Sequence, residues 1–421
     1  MQLSSINIRP ALSLACAGLL GSASSAYADD PWHIEMGVMN YNEQDRNTGL
    51  EFITHARKDL DDKEYLQLNA ELDVITGATP NGATSSNTAQ TFTMASGLGS
   101  YTVPANQLPV DDTHMDTRMS LASTYSTPVG DHLQSSYNAH LSMEFDFFSL
   151  GAGTDWSYAF NQNNTQLHLG ANLEYDRVHP VGAVPIPLAQ MQVANTLQPR
   201  EATSVTKHVY GISTGITQNL TPRSLIQLLV SRARHKGYLN DPYRLLSVIN
   251  DINQSGDTLG YRYENRPGLR KANIAYVRFK QSLTKDVMDL SYRYYHDDWH
   301  ITSSTLELNY HLYTEETRSI IPSIRYYHQS QADFYRHSLP VSTALPRFAS
   351  SDYRLAEYTA ITLGLEYKWL NTGENSSRIG VHYYQQDGTH HPDDAIGLQQ
   401  QQDLYPNLKA WILTYTTQFD L

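Results

Sequence analysis

Residues 411–421 read W-I-L-T-Y-T-T-Q-F-D-L. Trp411, Leu413, Tyr415, Phe419 and Leu421 share one parity; Thr414, Thr416, Gln418 and Asp420 share the other. That two-residue period defines a strand with one apolar and one polar face. The habit recurs along the chain. Trp32, Ile34, Met36 and Val38 alternate, as do Leu167, Leu169, Ala171, Leu173 and Tyr175. The cleanest run sets Leu66, Leu68, Ala70, Leu72 and Val74 against Gln67, Asn69, Glu71 and Asp73.

About sixteen such runs follow one another, the even number expected of a bacterial barrel. Long Ser/Thr/Asn/Gly-rich connections near 76–113, 178–203 and 237–268 alternate with tight turns near 127–131, 161–163, 219–223 and 284–285. A soluble sandwich has no reason to sort its loops this way. The pattern predicts an all-β fold: a single transmembrane antiparallel β-barrel of the outer membrane, with short periplasmic turns and long extracellular loops. A barrel of this size leaves a lumen wide enough for water. The terminal strand resembles the insertion signal of such barrels, although Leu421 stands where Phe or Trp more often ends them. That resemblance implies the barrel-assembly machinery as a partner, beside outer-membrane lipid.

The other end of the chain agrees. Arg9, an apolar run over 11–20 and Ala26-Tyr27-Ala28 make a secretory signal over residues 1–28, leaving a barrel domain over 29–421. The one cysteine, Cys16, lies in that leader, so no disulfide is expected beyond it. Mean hydropathy is -0.47, which a barrel tolerates because only every second strand residue need be apolar. The 29 Tyr suit aromatic girdles, and a net charge of -13 argues against a nucleic-acid partner. Barrels of this size are often trimers, so a homo-oligomer is a natural expectation.

Five stretches carry a family resemblance: T-G-A-T-P-N-G-A at 76–83, G-Y-L-N-D-P-Y-R at 237–244, R-Y-Y-H-D-D-W-H-I-T-S-S-T at 293–305, R-Y-Y-H-Q-S-Q-A-D-F-Y at 325–335 and S-D-Y-R-L at 351–355. They resemble a family of bacterial outer-membrane proteins numbered 3570 among the domains of unknown function. The resemblance implies a barrel and no particular activity.

Four groups of residues could carry chemistry. Asp73-Val-Ile-Thr-Gly-Ala-Thr79 resembles the motif at which periplasmic flavin transferases attach FMN to a threonine, implying a phosphoester on Thr79 with Asp73 beside the metal. The same residues also read as a strand end with a turn at Gly77. Second, Glu71, Asp73, Glu144, Asp146, Glu174 and Asp176 close outward-running strands on the lumen parity, joined by Asp116. Such a wall could hold Ca²⁺ or Mg²⁺ or merely steer ions. Third, Arg278, Lys280, Arg293, Arg325 and Lys368 form a basic face. It either confronts the acidic wall across the pore or pairs with Asp289, Glu307 and Glu366. Last, His296-Asp-Asp-Trp-His300 and His390-His-Pro-Asp-Asp394 could bind a transition metal or act as a hydrolytic pair.

The sequence therefore favours a porin-like channel or binding barrel for small polar solutes or ions, without enzymatic activity. The alternatives are a redox barrel carrying FMN on Thr79 and an outer-membrane hydrolase using the loop histidines.

Overall fold

The computed structural model describes residues 31–371 and 375–421; the leader assigned to residues 1–28 lies outside them. Sixteen antiparallel strands close one barrel. They are β1 (Trp32–Glu43), β2 (Thr48–Asp61), β3 (Glu64–Pro80), β4 (Val110–Val129), β5 (Leu133–Met143), β6 (Phe147–Phe160), β7 (Thr165–Val178) and β8 (Val205–Thr221) in the first half. The second half adds β9 (Ser224–Gly237), β10 (Leu269–Ser282), β11 (Val287–Asp297), β12 (Thr302–Glu315), β13 (Arg318–Gln329), β14 (Tyr358–Leu370), β15 (Ser376–Gly388) and β16 (Leu408–Asp420). Each strand pairs with its sequence neighbours, and β1 closes on β16 from His33↔Asp420 to Glu43↔Ala410. Among the described residues no helix is long and apolar enough to cross a membrane.

The two faces of the terminal strand separate as their parity demands. Trp411, Leu413 and Tyr415 are exposed on the lipid side, whereas Ala410 is buried. The weak run at 49–57 is a full strand, paired on both sides from end to end. The long and short connections alternate less strictly than the sequence suggests. Outer connections 44–47, 144–146 and 298–301 are as short as periplasmic turns. At the last of these, Asp297 substitutes for a loop by accepting the amides of Trp299 and Ile301, both at 3.0 Å.

The long outer connections have a core of their own. Phe92, from the hairpin Gln90–Thr93/Ser100–Val103, is fully buried between Tyr101 and Tyr261. Leu245–Ile249 pairs antiparallel with Thr258–Tyr263 and parallel with Ser338–Pro340, so two connections share one small sheet. Buried Gln399 ties in the last connection: it donates to Thr84 and accepts from Ser338, each at 3.1 Å. The result is a cap over the outer end.

The cap rests on β3, which runs further than its alternation suggests and places Thr79 opposite Asp111. The ladder shifts register between Gly77 and Thr79. Gly77 has φ +140°, and a Cβ there would stand 2.7 Å from Asn47 Cα and closer still to the Arg46 carbonyl. Gly77→Ala should therefore destabilise this rim by about 1–3 kcal/mol, seen as a lower temperature for loss of the heat-modifiable folded band in gel electrophoresis. A band as heat-resistant as the parent's would show that the hairpin gives way freely.

Candidate functional site

Below the cap the outer lumen holds a cavity of about 2020 Å³, bordered by Glu71, Asp116, Glu144 and Asp146 on the wall and by Asp241 and Tyr243 from above. The carboxylates singled out from the sequence line this side but do not converge. Arg118 on β4 pairs with both Asp73 and, at 3.3 Å, Glu71. Glu174 faces His140 at 3.4 Å, and fully buried Asp176 meets Lys207 Nζ at 2.7 Å. Asp146 accepts the Tyr243 hydroxyl. Among the described residues, no three acidic or histidine side chains form a metal-sized group.

Two carboxylates stand apart from these pairs. Asp116 accepts only the Thr117 amide, at 2.7 Å, and neither it nor Glu144 forms an ion pair among the described residues. Burial, with Asp116 and Asp146 alongside, pushes the Glu144 carboxyl up to about 7. This group, in the short connection at the rim, changes charge near neutrality.

The basic face is likewise partly cancelled. Arg278 Nε donates to Asp289 at 2.8 Å. Glu366 faces Arg378 at 3.3 Å and His382 at 3.5 Å rather than Arg325. Glu307 lies directly across from Arg325, yet it accepts from Asn309 at 2.9 Å. Arg293 and Arg325 form no ion pair among the described residues; each guanidinium lies over a tyrosine, at 5.6 Å from the Tyr295 ring and 5.7 Å from the Tyr327 ring. Asp146 and Glu307 are held only by neutral donors. Asp116 and Glu144, at β4 and the β5–β6 turn, and Arg293 and Arg325, on β11 and β13, are among the wall charges left without an ion pair among the described residues. In a ring of sixteen strands these are opposite walls.

The proposed flavin site is a strand end. Thr79 borders the cavity and its hydroxyl donates to Asn47 at 3.4 Å. Asp73 lies six residues back along the strand, about 20 Å away, and holds Arg118. The two are not neighbours. The histidine groups also separate. His296 lies in β11 beside Thr302, and His300 meets Asp333 at 2.6 Å. His390 sits between Asp387 and Asp403, both at 2.7 Å, whereas Asp394 faces His337. Burial opposes charge on His390, but its bonds to the two carboxylates outweigh that and hold the imidazolium above its ordinary pKa.

A second group of buried charges was not singled out by sequence reasoning. Asp352 accepts from Arg266 at 2.8 Å and Arg354 at 2.6 Å. Asp241 accepts from Arg244 and Arg354, both at 3.0 Å, and Glu264 meets Arg266 at 2.6 Å. Burial alone would raise the Asp352 carboxyl, but Arg244, Arg354 and Arg266 hold it well below the usual range. Burial wins at Glu264, which is raised despite Arg266. Arg244 also donates to the Pro80 carbonyl, and Leu245 N to Asn81 O at 2.8 Å. The stretches 76–83, 237–244 and 351–355 thus meet at one keystone between cap and barrel. Their available signal was acidic and basic residues at fixed spacing inside otherwise irregular loops.

The model of the family described as "Protein of unknown function (DUF3570)" matches residues 9–419, and the chain belongs to that family. No curated protein matches it. Among solved structures, the ferric enterobactin receptor PfeA of Pseudomonas aeruginosa is similar at 8% identity and TM-score 0.43, covering 86% of this chain and 55% of that one. The siderophore receptor PirA from Acinetobacter baumannii gives 7% and 0.41, with 86% and 54% covered. A variant of OccD1 (OprD) gives 9% and 0.41, with 95% and 98% covered. This chain spans about half the length of the two receptors.

Asp352→Asn should loosen the cap by about 3 kcal/mol, because it leaves the buried Arg266 guanidinium short of charge and releases the half-exposed Arg354. Limited proteolysis should then cut residues 238–268 and 330–357 while the barrel band persists; unchanged loop protection would refute the keystone role. His390 gives the opposite kind of pH dependence from a paired carboxylate. Its folded pKa is raised, so its contribution is present below about 6.5 and lost as pH rises through the folded value. Cleavage within 389–407 should increase on going alkaline, and His390→Gln should flatten that dependence.

Proposed function

We propose that this DUF3570 barrel, embedded in outer-membrane lipid, passes or holds small polar solutes or ions, and that its residual lumen charges select among them. The observation that carries the reading is that Asp116 and Glu144, without an ion pair among the described residues, stand across the ring from Arg293 and Arg325. Opposed walls set a field across the pore, perpendicular to its axis. Such a field orients dipolar solutes and discriminates weakly by net charge.

Planar bilayers test this. The purified barrel should give discrete conductance steps. Arg293→Gln with Arg325→Gln should move the reversal potential toward cation selectivity. Glu144 gains its charge as pH rises through about 7, so cation selectivity should rise over that range and stop doing so in Glu144→Gln. Absence of steps, or selectivity indifferent to all three substitutions, would sink the reading.

A further inference from the structure

One pattern recurs on alternate strands of the second half. Arg293-Tyr-Tyr295-His-Asp297 on β11, Arg325-Tyr-Tyr327-His-Gln329 on β13 and His382-Tyr-Tyr384-Gln-Gln386 on β15 share a cation or imidazole, a tyrosine and an acceptor at i, i+2 and i+4. Period two puts all three on the lumen face, and the intervening Tyr294 and Tyr326 are exposed toward lipid. The acceptor pins each lumen tyrosine upright: Tyr295 donates to Asp297 at 2.7 Å, Tyr327 to Gln329 at 2.6 Å and Tyr384 to Gln386 at 2.7 Å. On β1, Tyr41 donates to Glu43 at 2.9 Å in the same way.

The repeats stand side by side. Thr305 lies across from both Arg293 and Tyr327, and Thr362 lies across from both Arg325 and Tyr384. The motif therefore shifts two residues for every two strands, which is the sense of stagger that strand tilt imposes in a barrel. It stays near one height around the wall. Tyr358 on β14 fills the gap, its ring 5.4 Å from that of Tyr327.

We infer that this tyrosine shelf is a binding site for a ring-bearing organic oxyanion. Arg293 and Arg325 supply forked donors that are part-exposed in the lumen and free of ion pairs among the described residues. Above them the Tyr327 and Tyr384 rings, fixed by their own hydrogen bonds, offer ring surface for stacking at little entropic cost, whereas Tyr295 is already flanked by Arg270 and Arg293, each 5.6 Å from its ring. Glu307, across from Arg325, weakens the site and favours a singly charged group over a dense one. The inference rests on the lumen reading above and names its solute class.

Calorimetry on the detergent-solubilised barrel separates the two. Benzoate and phenyl phosphate should each bind about tenfold or more tighter than acetate, and the tighter of the two tells a carboxylate from a phosphate ligand. Arg293→Gln with Arg325→Gln should abolish binding, and Tyr327→Leu should erase the preference for a ring. Arg278→Gln, which disturbs a paired arginine, should leave binding intact. Benzoate no tighter than acetate, or undiminished binding in a folded double variant, would overturn the site even if the barrel conducts. Binding by a barrel that gives no conductance steps would keep the site and remove the pore.

Discussion

The structure depends on closure of the backbone ladder. In hydrocarbon every N–H and C=O must find a partner within the chain, and a sheet achieves that only when its first strand meets its last. Here β1 and β16 pair along eleven register positions. Once closed, the ladder fixes which side chains face each other across strands far apart in sequence. Asp73 meets Arg118, and Asp176 meets Lys207, because Asp73↔Arg118 and Lys207↔Asp176 are direct register partners. The lumen's ion pairs are consequences of closure.

What could be read from the sequence follows the same division. The two-residue period is local, so strand number, lipid face and lumen face were all legible from runs such as 66–74 and 411–415. Pairing across strands is not local. Asp73 looked like a free carboxylate because Arg118 stands 45 residues on, beyond a connection whose length hides the register. Arg118 does share parity with Asp116, and that was the available clue. The three short outer connections escaped notice because a buried aspartate or a tight hairpin leaves little compositional trace. The cap was illegible for a different reason: its core, built around Phe92 and Trp299, is assembled from very short strands and irregular segments, too short for a period to show.

The family-like stretches turn out to concentrate where cap meets barrel. Gly82 has φ +95°, and a Cβ there would stand 2.8 Å from the Leu245 carbonyl and against Ser351. Three of the stretches, or the residues flanking them, converge on that one glycine. Burying Glu264 and Asp352 with Arg244 and Arg266 is costly in desolvation, and an apolar cluster of the same shape could be as stable. A network of fixed forks and carboxylates instead permits one loop arrangement and rejects near misses. The network therefore holds a shape, and that shape bounds the outer end of the lumen.

That shape leaves the two residual charge pairs unequal in kind. Glu144 lies in a three-residue connection at the rim, where burial already holds it near its titration point. Arg293 and Arg325 lie on strands, under tyrosines pinned by their own acceptors. The wall near Glu144 is thus the adjustable one. A solute drawn to the arginine wall meets a rigid aromatic surface, whereas the opposing wall can change only how strongly it is pushed there. Under the proposed reading, selection by ring and oxyanion together follows from the pinned tyrosines more directly than selection by charge alone.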